Sequence, residues 1–240
     1  MEQQSLAKKR GIADIVILLD VTGSMGKCLD ALKRNVEVMV ESMVNPGPNA
    51  DAVVADWRIK VAGYRDYSAD RDQWWEEFPF TRDVAEVKAN LARLEPKGGG
   101  DEPEGLLDAL WVLAKMPVTA RGQEEANSWR YRSDAARVVI VFTDASCHMT
   151  TLIPDAGGAG FEDVAREVMA AKLRISLFCP EADCYTANLS MIDAIEIETI
   201  GSLTDAVEKM EEFTSNPEHF KKTLKALAKS ISASSVTPTL

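Results

Sequence analysis

Two short runs of apolar residues constrain the fold of this chain more than any other feature. Residues 14–20, DIVILLD, and residues 136–145, ARVVIVFTDA, are rich in β-branched side chains and do not alternate with polar residues. Such continuous runs are typical of strands that are buried on both faces of a parallel sheet. In both runs an aspartate, Asp20 or Asp144, follows the apolar residues directly or after one threonine. A carboxylate therefore follows each of the two predicted strands.

Helical patterns separate these strands from others along the chain. Apolar residues recur at helical spacing over residues 25–44 and 84–94, whereas residues 55–67, ADWRIKVAGYRDY, alternate as a strand does. Residues 74–81, WWEEFPFT, are predicted to form a short edge strand, the position in a sheet at which proline is tolerated. Strands that alternate with helices predict an α/β fold, with a doubly wound, mostly parallel sheet and helices on both faces.

The composition limits the classes of partner. The formal net charge of the 240 residues is −11, which disfavours nucleic-acid backbones and anionic membrane surfaces as partners. No apolar run approaches the roughly 20 residues that span a bilayer, and none resembles a signal-peptide core. The four cysteines are irregularly spaced, unlike a disulfide framework. We therefore expect a cytoplasmic protein with reduced thiols, and neither nucleic acid nor a membrane as its partner.

The loop after the first strand, LLDVTGSMGK (residues 18–27), allows three interpretations. A phosphate-binding P-loop requires a glycine where Val21 stands and a hydroxyl where Cys28 stands. A phosphatase of the haloacid dehalogenase type uses D-x-D-G-[ST], and its second acid is replaced here by Thr22, which cannot transfer the proton. The third interpretation, a metal site, agrees with every position of the loop.

In the metal-site interpretation, Asp20, Thr22 and Ser24 supply one carboxylate and two hydroxyls from a turn between a strand and a helix. Oxygen ligands suit a hard cation such as Mg²⁺ or Mn²⁺. Ligands of doubly wound sheets bind outside the carboxyl ends of the strands, at the point where the strand order reverses. Asp144, at the end of another apolar strand, is expected to lie across that point and to add a second carboxylate.

Four motifs in this order resemble the von Willebrand factor type A (VWA) domain. The family's metal-ion-dependent adhesion site (MIDAS) has the pattern D-x-[ST]-x-S, which residues 20–24 match. GYRDY (63–67), GGGDEPEG (98–105) and FTDASCH (142–148) resemble the branch found in VWA-containing alpha-kinases and their bacterial relatives. The resemblance implies a Rossmann-like sheet of order 3-2-1-4-5-6. The resemblance runs from about Asp14 to about residue 200. The sequence pattern predicts one domain over residues 1–230, with a core of about 12–215, a C-terminal helix of about 217–231 and a flexible tail at 232–240.

The resemblance also assigns metal ligands. Thr22 and Ser24 match direct ligands, Asp20 matches a direct or water-mediated ligand, and Asp144 matches the aspartate of the third loop. The second loop of the family brings a threonine after two glycines, and Gly100 stands at that position. Asp101 is the nearest oxygen donor and is expected to replace the threonine. The implied cofactor is Mg²⁺, or Mn²⁺ or Ca²⁺ in its place.

Several other polar residues lie near these loops. Asp66 is either an outer acid of the site, or forms a salt bridge to Arg65 or another nearby basic residue, or only caps its loop. Glu104 is expected to interact with the dipole of its own helix. One further group either forms a zinc site or consists of packed thiols and a hydrogen-bonded imidazole: Cys147, His148, Cys179 and Cys184.

The implied function is a metal-dependent protein–protein interaction, not catalysis. A partner's Asp or Glu carboxylate would complete the metal coordination, and the chain would serve as a scaffold or regulatory subunit beside an ATPase, a kinase or a phosphatase. Two alternatives remain open at this point. One is a metal-dependent phosphohydrolase that uses Asp20 and Asp144, and the other is a binding module whose metal site is degenerate because of Gly100 and Asp101.

Overall fold

The computed structural model describes residues 9–44, 52–100, 102–216 and 218. Its strands are β1 (Lys9–Asp20), β2 (Ala52–Tyr64), β3 (Trp75–Glu77), β4 (Ala136–Phe142), β5 (Leu173–Glu181) and β6 (Ile195–Ser202). Its helices of eight or more residues are α1 (Gly26–Val44), α2 (Val84–Arg93), α3 (Leu106–Lys115), α4 (Phe161–Ala170) and α5 (Ala206–Ser215). The predicted C-terminal helix and tail lie outside the described residues, apart from residue 218.

The strands form one six-stranded sheet with the order β3-β2-β1-β4-β5-β6. The pairs β1–β2, β1–β4, β4–β5 and β5–β6 are parallel, and β3 pairs antiparallel with β2 at the edge. The predicted fold class, the strand order and the short edge strand are therefore confirmed. The strand order switches at β1: β2 and β3 lie on one side of it, and β4, β5 and β6 lie on the other. The loops that follow β1 and β4 are therefore neighbours at the same edge of the sheet.

The unbroken apolar character of β1 follows from burial on both of its faces. Ile15, Ile17 and Leu19 pack in one core with α1, α2 and α5, while Val16 and Leu18 pack in a second core with α3 and α4. Successive side chains of a strand point to opposite faces, so both sets must be apolar when helices cover both sides. Within the described ranges, no helix is long and apolar enough to cross a membrane.

A buried ionic cluster lies toward the other end of β1. Asp14 is fully buried, and its Oδ1 accepts hydrogen bonds from Nε of Arg58 and Nε of Arg130, each at 2.7 Å. Its Oδ2 accepts from Nη2 of Arg58 at 2.8 Å and from the backbone N–H of Arg130 at 2.7 Å. Asp14 thereby ties β1 to β2 and to the segment that leads into β4.

Candidate metal centre

The loop after β1 arranges its oxygen atoms around Asp20. Oδ1 of Asp20 accepts hydrogen bonds from the backbone N–H of Thr22 at 3.0 Å and from its hydroxyl at 2.7 Å. The Thr22 hydroxyl lies 3.3 Å from the hydroxyl of Ser24, one turn before α1 begins at Gly26. Because the Thr22 hydroxyl donates its one hydrogen bond to Asp20, the lone pairs of the Thr22 oxygen remain available to a cation.

The loop after β4 adds Asp144 and fixes Asp20 from the other side. The hydroxyl of Thr143 donates to Oδ2 of Asp20 at 2.9 Å. Asp144 is 4% exposed, and within the described part of the chain neither of its carboxyl oxygens has a hydrogen-bond partner. Burial raises the pKa of Asp144, and the hydroxyl of Ser24, which is close to the carboxyl but outside hydrogen-bond geometry, offsets part of this increase. Burial and then the charge of Asp144 raise the pKa of Asp20 to about 6.

Glu104 occupies a buried position that the sequence does not predict. Its place before α3 predicts an interaction with the helix dipole, but Gly105 occupies the N-cap of α3, and Glu104 is 4% exposed. Its Oε2 is buried and lacks a hydrogen-bond partner among the described residues. Burial, followed by the charges of Asp20 and Asp66, raises the pKa of Glu104 to about 8. Glu104 is thus a buried carboxyl whose charge is coupled to that of Asp20.

Backbone hydrogen bonds hold Glu104 in this position. Its N–H donates to the carbonyl of Ser146 at 2.8 Å, and its carbonyl accepts from the N–H of His148 at 3.0 Å. A Cβ atom placed on Gly99 would lie 3.2 Å from Oε1 of Glu104 and 2.9 Å from Cβ of Thr22. The Glu104 carboxylate and the Thr22 side chain therefore border the same point, and only a glycine fits between them.

The second loop, which contains residues 98–105, contributes mainly backbone groups to the site. The N–H of Gly23 donates to the carbonyl of Gly98 at 3.3 Å, and the N–H of Gly99 donates to Oδ2 of Asp70 at 2.7 Å. Gly100 is exposed, and a Cβ there would approach Ala69 at 3.5 Å. Asp101, the predicted substitute for the missing threonine, lies outside the described residues, so its assignment as a ligand stays a prediction.

Asp66 takes a different partner from the one proposed for it. Its Oδ1 lies 3.0 Å from Nε2 of His148 and accepts the backbone N–H of Ser68, whose hydroxyl donates to Oδ2. Arg65 instead donates to the carbonyls of Lys97, Gln73 and Glu95. Of the interpretations of Asp66, the pairing with Arg65 is not observed, whereas His148 is another basic partner and the Ser68 N–H is capped by the carboxylate. The charge of Asp66 acts on the carboxyl of Glu104 at the candidate metal centre.

The zinc-site interpretation is not supported, because Cys147, His148, Cys179 and Cys184 are not grouped as metal ligands. His148 turns to Asp66, while the N–H of Cys147 donates to Sγ of Cys184 at 3.2 Å. Cys147, Cys179 and Cys184 are all buried, and burial raises the pKa of the Cys179 thiol. Among the described residues, no three His, Cys, Asp or Glu side chains are grouped so that they could hold a metal by themselves. A cation at this edge therefore needs hydroxyl groups or water among its ligands.

The donor set fits a hard cation. Asp20, Thr22, Ser24 and Asp144 offer oxygen atoms only, the ligands that Mg²⁺, Mn²⁺ and Ca²⁺ prefer. The two unpartnered oxygens of Asp144 and Oε2 of Glu104 are buried polar atoms that a cation, or the water bound to it, would satisfy. Ser24 is exposed while Asp20 and Asp144 are buried, so the group of oxygens opens to solvent on the side of Ser24.

A family model described as the von Willebrand factor type A domain matches residues 14–233. The alpha-protein kinase vwkA of Dictyostelium discoideum is 23% identical over 137 residues, which make up 57% of this chain and 19% of the kinase. The chain therefore corresponds to a small part of that relative's length.

Two solved structures of proximal thread matrix protein 1 (PTMP1) from the mussel byssus have a similar fold. One superposes with a TM-score of 0.55 at 15% sequence identity and covers 90% of this chain and 47% of the matrix protein. The other, in which zinc occupies the MIDAS motif, has a TM-score of 0.53 at 15% identity and covers 88% and 49% of the two chains. At these identities the likeness shows the fold alone.

Proposed function

Because the chain belongs to the von Willebrand factor type A domain family, we propose that it binds a divalent cation at the Asp20 edge and thereby holds an acidic side chain of a protein partner. Mg²⁺ is the proposed cation, with Mn²⁺ or Ca²⁺ in its place. The bound cation would supply a positive charge and an open coordination position for the partner's Asp or Glu carboxylate.

The observation that carries this proposal is the state of Asp144. A carboxyl that is 4% exposed and has no hydrogen-bond partner for either oxygen among the described residues is costly to a folded protein. A cation satisfies both oxygens and offsets the repulsion between Asp144 and Asp20. The hydroxyls of Thr22 and Ser24 would hold it on the solvent side, where a partner can approach.

Glu104 has a specific part in this proposal. It would hold the cation from the side of the second loop, directly or through a bound water, where the family brings a threonine. A carboxylate there neutralises more of the cation's charge than a hydroxyl does. Glu104 therefore favours cation binding and weakens the attraction for the partner's carboxylate. Such a balance suits a reversible contact.

The setting that we infer is cytoplasmic, with the chain as a scaffold or regulatory subunit. The similarity to part of an alpha-protein kinase supports a place beside enzymes of phosphate chemistry, such as an ATPase, a kinase or a phosphatase. The site itself does not favour the alternative of a phosphohydrolase. Asp20, its nucleophile, is 1% exposed, and both of its oxygens already accept hydrogen bonds from Thr22 or Thr143.

Replacing Asp20 by alanine tests the proposal. We expect Mg²⁺ affinity to fall at least tenfold, because the variant loses a ligand carboxylate and the acceptor that orients Thr22. Isothermal titration with Mg²⁺ and Mn²⁺ measures the affinity, and a pull-down with and without chelator measures partner capture. Asp30→Ala, an exposed aspartate on α1, is the matched control. Unchanged cation affinity in folded Asp20→Ala protein would refute the proposal, and absence of binding to the wild-type protein would favour the degenerate-site alternative.

Replacing Glu104 by glutamine tests its role separately. We expect the change to lower Mg²⁺ affinity about tenfold, the lower end of the effects seen when groups that support metal ligands are removed, while the fold is retained. Circular dichroism and the same titrations give the two readouts. Glu102→Gln is the control, since Glu102 is exposed on the same loop and bonds to Ser146. If Glu104→Gln binds Mg²⁺ with the affinity of the wild type and of the Glu102→Gln control, Glu104 has no role in holding the cation.

A further inference from the structure

A cavity of about 610 Å³ lies at the opposite edge of the sheet from the candidate metal centre. It is formed by the amino ends of β4 and β5, the chain that follows α4, and the turn before β6. The strands that border it are parallel, so it is separated from the Asp20 edge by the length of the sheet. Volumes of about 300–1,000 Å³ are typical of sites for small molecules.

The charge of this cavity is opposite to that of the chain. Four cationic residues and one carboxylate line it, in a protein whose formal net charge is −11. The cations are Arg132, Arg137, Lys172 and Arg174, and the carboxylate is that of Asp193. Over the described residues, none of the four cations has a carboxylate at ion-pair distance, whereas Arg58, Arg82 and Arg130 all do. The cavity therefore gathers four cations around one carboxylate, that of Asp193, and the charge of Asp14 also acts on Arg137.

Arg137 is the fixed element of the cavity. It is 5% exposed, and its Nε and Nη2 donate to the carbonyl of Arg130, while Nη1 donates to the carbonyl of Ala171. A guanidinium has five N–H groups, so two of them are left without a partner in the described structure. Capping of α4 through Ala171 explains one of these hydrogen bonds, but it does not explain the three further cations around the same space.

Lys172 supplies an independent observation. It has a φ of 58° and is the only described residue other than glycine with a positive φ. This left-handed conformation follows the end of α4, where glycine would be accommodated without steric cost. The sequence nevertheless has a lysine there, which is exposed and contributes to the cavity lining. A cation therefore occupies this position in spite of a conformational cost.

We propose that this cavity binds a small organic phosphate. The cations can neutralise a phosphate or diphosphate group, and the N–H groups of Arg137 can donate to its oxygens. Apolar side chains complete the lining, namely Ala135, Ala136, Met169, Leu173 and Ala194, and they can contact the uncharged part of the ligand. The net charge of the chain opposes a long polyanion, so a small molecule fits better than a nucleic acid.

The experiment uses the full chain with excess EDTA, so that no cation links the probes to the Asp20 edge. Thermal unfolding and isothermal titration are measured with ADP, pyrophosphate, adenosine and succinate. We expect ADP to bind and to raise the unfolding midpoint, pyrophosphate to bind more weakly, and adenosine and succinate to have no effect. No binding of ADP or pyrophosphate at millimolar concentration would overturn the proposal. Equal binding of succinate would also overturn it, in favour of a general anion site.

Two variants tie the binding to the cavity. Lys172→Gly and Arg174→Gln should each weaken ADP binding by up to about fivefold, as expected for an exposed charge pair. Lys172→Gly should keep or raise the unfolding midpoint without ligand, because it relieves the left-handed lysine, so misfolding cannot imitate a loss of binding. Lys209→Gln is the control, since Lys209 is a partly exposed lysine on α5 that pairs with Glu212, outside the cavity. Unaltered ADP affinity in both cavity variants would place the bound nucleotide elsewhere and overturn the assignment.

Discussion

Replacing Asp144 by alanine is expected to stabilise the metal-free protein and to abolish its further stabilisation by Mg²⁺. The carboxyl oxygens of Asp144 are buried and unpartnered in the described structure. An unsatisfied buried polar group costs about 1–3 kcal/mol, and more if it is charged. Its removal should raise the free energy of unfolding without metal by ~1–3 kcal/mol. The same change removes a carboxylate that the cation needs, so the wild-type protein should gain stability with Mg²⁺ while the variant should not.

The pH dependence of the stabilisation by Asp144→Ala tests whether repulsion between Asp144 and Asp20 causes it. Burial and the charge of Asp144 raise the pKa of Asp20 to about 6, from an ordinary value of 3.8. A carboxyl whose pKa is raised by folding imposes no penalty at pH values below its unfolded pKa and the full penalty above its folded pKa. At pH 5 the Asp20 carboxyl is mostly protonated and its repulsion with Asp144 is small. The stabilisation by Asp144→Ala should therefore be larger at pH 8 than at pH 5.

Urea unfolding with EDTA and with excess Mg²⁺, at both pH values, measures these effects. Asp30→Ala is the control, because it removes an exposed carboxylate from α1, whereas the charge of Glu102 acts on Asp144. A variant that is less stable than the wild type without metal would mean that Asp144 is already satisfied in solution. An Mg²⁺ response that survives the change would exclude Asp144 from the metal site.

The fold could be predicted because its signals are local. The consecutive apolar residues of β1 and β4 are buried on both faces of the sheet, and this pattern is visible in the sequence. The helical patterns between the strands predict the crossover connections. The first metal loop has the same property, since Asp20, Thr22 and Ser24 lie within five residues of one turn. Asp144 could be added because the carboxyl ends of parallel strands meet at one edge.

The position of Glu104 could not be predicted in this way. Its burial depends on backbone pairing with Ser146 and His148, which lie more than 40 residues further along the chain. Periodicity places it just before α3, where an acid at a helix N-terminus is common. No local pattern distinguishes that situation from a carboxyl directed into a site. The absence of the family's threonine at Gly100 was the signal that another oxygen donor was needed, but it did not identify Glu104.

The partners of the charged residues were equally hidden. Arg65 follows β2 beside Asp66, yet it bonds to three backbone carbonyls, while Asp66 pairs with His148 from another loop. The basic cavity combines residues from separate segments of the chain. Sequence spacing does not reveal such groupings, because the sheet order brings together side chains that the sequence separates.

Replacing Asp14 by asparagine should cause the largest loss of stability among the changes considered. Asp14 is fully buried and accepts hydrogen bonds from the side chains of Arg58 and Arg130, which are 3% exposed each. Asparagine keeps the shape but leaves two buried guanidinium groups without their shared carboxylate. Breaking a buried ion pair by removing one partner costs about 3–5 kcal/mol, so we expect a decrease of ~3–5 kcal/mol in the free energy of unfolding, measured by urea denaturation.

Asp56→Asn provides the matched comparison at the rim of the same cluster. Asp56 binds Arg130 and Arg82, but its side chain is 36% exposed, so water can replace the lost contacts. Its substitution should cost about 1 kcal/mol or less. Because Asp14 lies far along β1 from the metal loop, the folded fraction of Asp14→Asn should bind Mg²⁺ with unchanged affinity. A loss below 1 kcal/mol for Asp14→Asn would mean that Asp56, Glu124 and the backbone carbonyls suffice to hold the two arginines.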